Sequence, residues 1–140
     1  MIKSKLKIGI VVSEWYKDLY TKGMLENAVN AFKNKGIIID KKNILWVPGS
    51  FELPLGASLL LKRGCDAVLV LGVVIRGKTS HYDHVCEACT IGVIKVQLEY
   101  KKPVIFGILT CENDKQVKAR LKKVNDLVDA CIKMCNICSK

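Results

Sequence analysis

The chain has 140 residues, a length typical of one folded domain, so residues 1–140 are expected to form a single domain. Half of the residues are hydrophobic and only 10 are Gly and 3 Pro, which excludes disordered and fibrous proteins. Lys and Arg outnumber Asp and Glu by 23 to 13, giving a formal net charge of +10. The excess consists mostly of scattered lysines, which favours a lysine-rich surface over a nucleic-acid interface.

The first residues alternate lysine with apolar residues and run into the first apolar stretch. This stretch is too short for a membrane span, and no small-residue cleavage site follows it, so a cytoplasmic protein with no membrane partner is expected. At about 3.3 Å per residue, residues 1–5 span only roughly 17 Å, enough for a short edge strand against a neighbour.

Four apolar, β-branched runs alternate with longer segments of helical period. The predicted strands are 6–12, 43–47, 67–75 and 103–109, and the predicted helices are 17–34, 51–62, 82–100 and 114 to near 139. Ser50, Ser80 and Asn113 are candidate capping residues for the last three helices. The third run is apolar without alternation, as in a central parallel strand covered on both faces. The predicted fold is a three-layer αβα sandwich, flavodoxin-like, with a four-stranded parallel sheet.

Seven cysteines include two C-x-x-C pairs, a spacing that could supply a zinc site. At about 100° per residue, however, they fall on the apolar stripes of two predicted helices. One stripe carries Cys86 and Cys89, and the other carries Cys131, Cys135 and Cys138. Free cysteine packs as a small hydrophobic residue, so we predict core thiols and no bound metal.

Ligands of parallel α/β sheets bind beyond the carboxyl ends of the strands, here loops 13–16, 48–52, 76–81 and 110–113. His81 in the third loop is either a proton-transfer group or a surface histidine, and its spacing favours neither. The preceding Gly77, Lys78, Thr79 and Ser80 either cradle an anion or simply cap a helix.

Arg120 falls by helical phase into an apolar arc, where it needs an anionic partner. A structural carboxylate, such as Glu112 or Asp126, or a substrate phosphate would serve, and the nearby anion cradle favours the phosphate. Trp15, Phe51 and Phe106 are expected in or beside the same crevice, where they suit stacking on a planar ring, although a single residue of this kind is more often plain core. Glu52 suits a polyol or ring N–H contact, or a charge at a helix start.

Three stretches, 46–54, 71–83 and 104–113, resemble the 6,7-dimethyl-8-ribityllumazine synthase family of bacteria and fungi. They contain P-G-x-[FY]-E at 48–52 and I-R-G-x-T-x-H at 75–81, and the likeness runs from about residue 7 to 120. The resemblance implies condensation of 5-amino-6-(D-ribitylamino)uracil with 3,4-dihydroxy-2-butanone 4-phosphate, without metal or organic cofactor, in riboflavin biosynthesis.

The resemblance also implies a role for each matching residue. Trp15 would stack on the pyrimidine, Ser50, Phe51 and Glu52 would contact the ribitylamino-uracil, and Val73, Val74 and Ile75 would line its edge through their backbone. Lys78 and Thr79 would hold the phosphate, His81 would donate a proton, Phe106 would add a ring contact and Arg120 would be the second phosphate ligand.

Assembly is the last property that the resemblance implies. The family builds each site between neighbours in a ring of five, with Phe106 and Arg120 contributed across the interface, and riboflavin synthase is a candidate partner. A larger shell stays open, because the segments that relatives use for it, before the first strand and after Arg120, are short here. Tyr16 also departs from the family pattern, in which asparagine is common at this position.

Three other functions compete with this one. A non-catalytic flavin- or lumazine-binding protein would not need both His81 and the phosphate ligands. A riboflavin synthase of the archaeal type would lack the I-R-G-x-T-x-H pattern. A basic nucleic-acid binder would need a motif or an aromatic-basic surface pattern that the sequence does not contain.

Overall fold

A computed structural model describes residues 5–139, and the prediction made for the segment before residue 5 lies outside the described residues. Four parallel strands form one sheet in the order β2-β1-β3-β4. The strands are β1 (Ile8–Ser13), β2 (Ile44–Val47), β3 (Ala67–Ile75) and β4 (Val104–Cys111), and the helices are α1 (Lys22–Asn34), α2 (Leu53–Lys62), α3 (His81–Tyr100), α4 (Asp114–Arg120) and α5 (Val124–Cys138).

Helices cover both faces of the sheet. Phe32 of α1 and Val128 of α5 belong to the apolar cluster on one face, and Leu60 of α2 and Val93 of α3 belong to the cluster on the other. β3 lies between β1 and β4 and is buried over most of its length, because its continuous apolar run meets helices on both sides. The predicted flavodoxin-like αβα sandwich is therefore confirmed.

The prediction of one helix from 114 to near 139 was wrong. A 3-10 turn, Leu121–Lys123, separates α4 from α5. The first predicted helix also begins differently, with a π-helical turn, Lys17–Thr21, before α1. Asn113 caps α4 as predicted, because its side-chain oxygen accepts from the backbone N–H of Gln116 at 2.9 Å.

The cysteines lie mostly in the core, as predicted: Cys65, Cys89, Cys111, Cys131 and Cys135 are buried and Cys86 is half-buried. Cys138 is exposed, so its assignment to the buried stripe was wrong; it is the last residue of α5, whereas Cys131 and Cys135 belong to the apolar core cluster. Burial raises the pKa of the Cys89 thiol to about 11, which keeps it protonated near neutral pH.

Within residues 5–139, no group of three or more His, Cys, Asp or Glu side chains is placed to hold a metal ion. Over the same residues, no helix is both long and apolar enough to cross a membrane.

Gly107 in β4 leaves no room for a side chain. A Cβ there would lie 2.6 Å from the backbone oxygen of Val70 in the paired strand, and backbone cannot move aside as a flexible side chain can. We expect Gly107→Ala to lower the free energy of unfolding by about 1–3 kcal/mol, measured by urea denaturation.

Gly23→Ala is the matched control, because nothing lies within 4 Å of its Cβ position in α1. It should raise the stability by about 0.5–1 kcal/mol through the better helix propensity of alanine. Equal effects of the two substitutions would contradict the strand-packing argument.

Tyr20 joins the π-helical turn after β1 to the start of α4. Its buried hydroxyl donates a hydrogen bond to the Asp114 carboxylate, and this bond raises the pKa of Tyr20 to about 12 from an ordinary value of 10.0. A raised pKa in the folded state favours the protonated form. The stabilisation is therefore complete below pH 10 and is lost as the pH rises through about 12.

We expect Tyr20→Phe to remove this component of the alkaline loss of stability. Urea denaturation between pH 9 and 12 checks it, with the wild type losing stability more steeply than the variant across the window that the pKa of Tyr20 sets. Lysine side chains also titrate in this pH range, but their effect on stability is the same in both proteins. Parallel curves would show that the Asp114 bond contributes nothing.

Candidate active site

One cavity of about 580 Å³ opens at the carboxyl ends of β1, β2 and β3. Nine of the predicted site residues line it: Trp15, Ser50, Phe51, Glu52, Val73, Val74, Ile75, Thr79 and His81. The parallel sheet brings them together because the loops that leave one edge of such a sheet meet there. Tyr16, Gly49, Gly77, Tyr82 and Val85 complete the lining.

Two exposed aromatic side chains, Trp15 and Phe51, line the cavity. Trp15 is 67% exposed and Phe51 is 61% exposed, which is unusual for such large apolar groups unless they meet a ligand or a partner. Tyr16 has a left-handed backbone with φ of 66°, a conformation that asparagine tolerates better than tyrosine. The rings of Tyr16 and Trp15 pack edge to face at 6.3 Å, which orients the Trp15 side chain.

The loop that carries Ser50 and Glu52 is held by hydrogen bonds at both ends. The Glu52 carboxylate accepts from the backbone N–H of Gly49 at 2.9 Å, and the buried Cys89 thiol donates to the Ser50 carbonyl at 2.9 Å. Among residues 5–139, the Ser50 hydroxyl is the one buried side-chain polar atom without a partner. An unpaired buried hydroxyl is costly, and Ser50 lines the cavity, so a hydrogen bond to a bound ligand would relieve this cost.

Gly72 of β3 makes room for that hydroxyl. A Cβ on Gly72 would lie 2.8 Å from Ser50 Oγ and 2.9 Å from a methyl group of Leu53. The absence of a side chain at this position therefore lets the Ser50 loop close onto the sheet.

His81 is the first residue of α3 and follows a loop of exposed residues, 76–80. Its backbone N–H donates to Thr79 Oγ1 at 3.2 Å, while Ser80 makes no side-chain capping bond. The helix N-terminus adds partial positive charge beside Thr79, which suits an anion. Lys78 is exposed in the same loop but does not line the cavity.

Arg120 does not point into an apolar arc, and that prediction was wrong. α4 ends at Arg120, so helical phase cannot be extended from Val117 to Val124. The side chain is exposed, donates to the Gln116 carbonyl at 3.1 Å, and has no carboxylate within 4.0 Å among the described residues. Burial raises the pKa of the Cys111 thiol, and the positive charge of Arg120 opposes this rise.

Phe106 is 37% exposed and does not line the cavity of its own chain; of the two positions expected for it, in or beside the crevice, only the second fits this structure. Phe106 pairs with Val70 along β4, well before the carboxyl end of that strand. β4 is the edge strand of the sheet, so Phe106 lies away from β1 and β2, at whose carboxyl ends the cavity opens.

Sequence reasoning missed Tyr82 and Arg76. Tyr82 lines the cavity one residue after His81, a position that the motif itself marks. Arg76, although within the motif, received no role. Its guanidinium binds Asp83 and Glu112 and stacks on Tyr82 at 4.4 Å, a set of partners that no sequence spacing reveals.

A doubly wound α/β sheet, a largely apolar cavity at its carboxyl edge and a histidine at a helix start define an enzyme that binds small molecules. The family model for 6,7-dimethyl-8-ribityllumazine synthase matches residues 5–139. The chain therefore belongs to the 6,7-dimethyl-8-ribityllumazine synthase family.

Relatives of that name are similar over most of the chain. The one from Streptomyces coelicolor is 44% identical over 82% of this chain and 70% of its own length. The one from Bdellovibrio bacteriovorus is 44% identical over 83% and 63%, and the one from Cytophaga hutchinsonii is 49% identical over 77% and 68%. The alignments thus span about two thirds of each of these relatives.

Proposed function

We propose that the cavity condenses 5-amino-6-(D-ribitylamino)uracil with 3,4-dihydroxy-2-butanone 4-phosphate to give 6,7-dimethyl-8-ribityllumazine, phosphate and water. As a lumazine synthase of riboflavin biosynthesis the enzyme is a transferase. The 5-amino group attacks the ketone and water leaves to form an imine. Phosphate is then eliminated with a neighbouring proton to leave an enol, which tautomerises to a new ketone. The ribitylamino nitrogen closes the ring on this carbonyl with loss of a second water.

The pyrimidine occupies the apolar part of the cavity. Trp15 and Phe51 stack on its ring, the backbone of residues 73–75 lines its edge, and the unpaired Ser50 hydroxyl and the Glu52 carboxylate bind its polar groups. The ring therefore lies between rigid elements, which holds its amino group for attack on the ketone.

The phosphorylated ketone occupies the rim at the start of α3. Lys78, Thr79 and the helix N-terminus bind the phosphate, and Arg120 of a neighbouring subunit supplies a second cation. His81 moves protons between the amine, the ketone oxygen and the leaving groups. Stabilisation of the departing phosphate by fixed positive charge favours elimination.

The observation that carries this proposal is the convergence of nine predicted site residues on one cavity. The test is incubation of the purified protein with the two substrates while lumazine absorbance is followed. Absence of lumazine at saturating substrate would overturn the proposal. Riboflavin formed from added dimethyl-ribityllumazine would instead indicate riboflavin synthase activity.

We also propose that the working unit is a ring of five subunits in the cytoplasm, with riboflavin synthase as a candidate partner and with each chain acting as one domain. Apolar side chains that stand out on α2, α3 and β4 support self-association: Leu55, Leu59, Ile91, Ile94, Leu98 and Phe106. Phe106 and Arg120 lie outside the cavity of their own chain, as a site shared between neighbours requires.

Light scattering on the purified protein measures the molar mass and hence the number of subunits. Subunit mixing tests whether neighbouring subunits share each site. His81→Ala and Arg120→Ala chains, unfolded and refolded together in equal amounts, would place an intact His81 opposite an intact Arg120 in about a quarter of the interfaces of a head-to-tail ring. Activity above that of either variant alone is expected. No recovery, or an active monomer, would contradict a shared site.

A further inference from the structure

Arg76 occupies the centre of a contact network at the rim of the cavity. Its Nε donates to the two oxygens of Glu112 at 2.9 and 3.1 Å, and its Nη2 and Nη1 donate to the two oxygens of Asp83 at 3.1 and 3.4 Å. The guanidinium also lies 4.4 Å from the ring centre of Tyr82, a residue that lines the cavity. One side chain thus touches the start of α3 and the junction between β4 and α4.

These contacts close the loop of residues 77–80 at its base. Arg76 precedes this loop, and Asp83 lies in the first turn of the helix that follows it. The backbone N–H of Arg76 donates to the Cys111 carbonyl at 2.9 Å, which attaches the same residue to the end of β4. The loop itself is exposed and has few other attachments, so its shape depends on what its two ends are bound to.

We infer that Arg76 is a positioning residue, which holds Thr79 and His81 in place for the phosphorylated ketone without touching it. The inference rests on the proposed function of the cavity. The Arg76 nitrogens that face Glu112 and Asp83 donate hydrogen bonds to these carboxylates. The guanidinium is therefore occupied by the two carboxylates and does not bind substrate. Its positive charge also offsets one of the two negative charges of Asp83 and Glu112, which would otherwise repel a phosphate beside Thr79 more strongly.

The contribution is one of geometry more than of stability. The side chains of Arg76, Asp83 and Glu112 are 39%, 59% and 54% exposed, and ion pairs this exposed add little to folding. Only a planar guanidinium can bind two carboxylates and stack on a ring together; the ammonium of lysine cannot.

The test compares Arg76→Gln and Arg76→Lys with the wild type. We expect Arg76→Gln to raise the KM of the phosphorylated ketone about tenfold and to lower kcat by about 10- to 100-fold, with the KM of the pyrimidine nearly unchanged. Arg76→Lys should retain only part of the wild-type activity, because lysine keeps the positive charge but lacks the planar geometry of the guanidinium. Full recovery by lysine would overturn the inference in favour of charge alone, and equal losses for both substrates would overturn it in favour of a general structural role.

Amide hydrogen exchange gives a readout that does not depend on activity. The N–H groups of His81, Asp83 and His84 bond within the loop and the first turn of α3, and they should exchange about tenfold faster in Arg76→Gln while β3 amides stay protected. Unchanged exchange at these three amides would overturn the inference even if activity fell. If the wild type made no lumazine, the proposed function would fail while this measurement still decided the role of Arg76 in the loop.

Asp129→Asn is the matched control, since it removes a similarly exposed ion pair, with Lys35, at 3.5 Å. It should change neither the loop exchange nor the kinetic constants. A control effect as large as that of Arg76→Gln would mean that the loss of any surface ion pair suffices, and it would overturn the inference.

Discussion

His81→Ala should lower kcat about 10²-fold, the size expected for loss of one proton-transfer group, and leave pyrimidine binding nearly intact. The side chain lines the cavity rim, whereas the bond to Thr79 uses only the backbone N–H of residue 81 and survives the substitution. Helix α3 and its loop should therefore keep their shape, so that the kinetic change reports the imidazole alone.

The measurement is steady-state turnover by lumazine absorbance, with pyrimidine affinity from quenching of tryptophan fluorescence. His84→Ala is the control: His84 is exposed on the same helix but does not line the cavity, so its replacement should leave kcat unchanged. Wild-type turnover in His81→Ala would remove His81 from the mechanism. Equal losses in both variants would point to the helix start rather than to the imidazole.

Arg120→Ala should raise the KM of the phosphorylated ketone by about 10- to 100-fold, the size of one lost charge-assisted hydrogen bond, and inorganic phosphate should lose its inhibitory effect. The pyrimidine should bind as before. Within the described residues Arg120 has no carboxylate partner and donates only to the Gln116 carbonyl, so stability should change little.

Lys118→Ala removes a positive charge from the same helix at another exposed position, and it controls for a general loss of charge. Its effect on the KM should be small. A loss confined to the unfolding free energy in Arg120→Ala, with the KM unchanged, would favour a purely structural arginine. Comparable KM changes in both variants would indicate attraction by the overall positive surface rather than a specific phosphate ligand.

Local chemistry made much of the fold predictable. β3 was predicted with its observed bounds, Ala67–Ile75, because the run between Asp66 and Arg76 is short, continuously apolar and rich in valine, as in a buried strand. Asn113 was predicted as a cap because its side chain competes well for the free N–H groups of a helix start. The last helix was predicted too long because the sequence of Leu121–Lys123 contains neither Gly nor Pro to interrupt it.

The candidate site was predictable where one motif carried it, and not where distant segments met. Five residues of loops 48–52 and 76–81 were predicted as site residues and line one cavity: Ser50, Phe51, Glu52, Thr79 and His81. Their motifs lie at strand ends that a parallel sheet brings together at one edge. The orientation of Arg120 was mispredicted. The helix breaks three residues after Val117, so residues beyond the break do not continue its helical phase.

The sequence by itself determined the order of strands and helices, the parallel sheet and the identity of most cavity residues, because propensity, apolar period and motif are read from neighbouring residues. Only the tertiary structure decided that Arg76 pairs with Glu112, 36 residues away, that the Ser50 hydroxyl is buried without a partner, and that Phe106 on the edge strand does not line the cavity of its own chain. Such facts depend on strand register and on how closely β3, β4 and the Ser50 loop pack, and no local pattern contains that information.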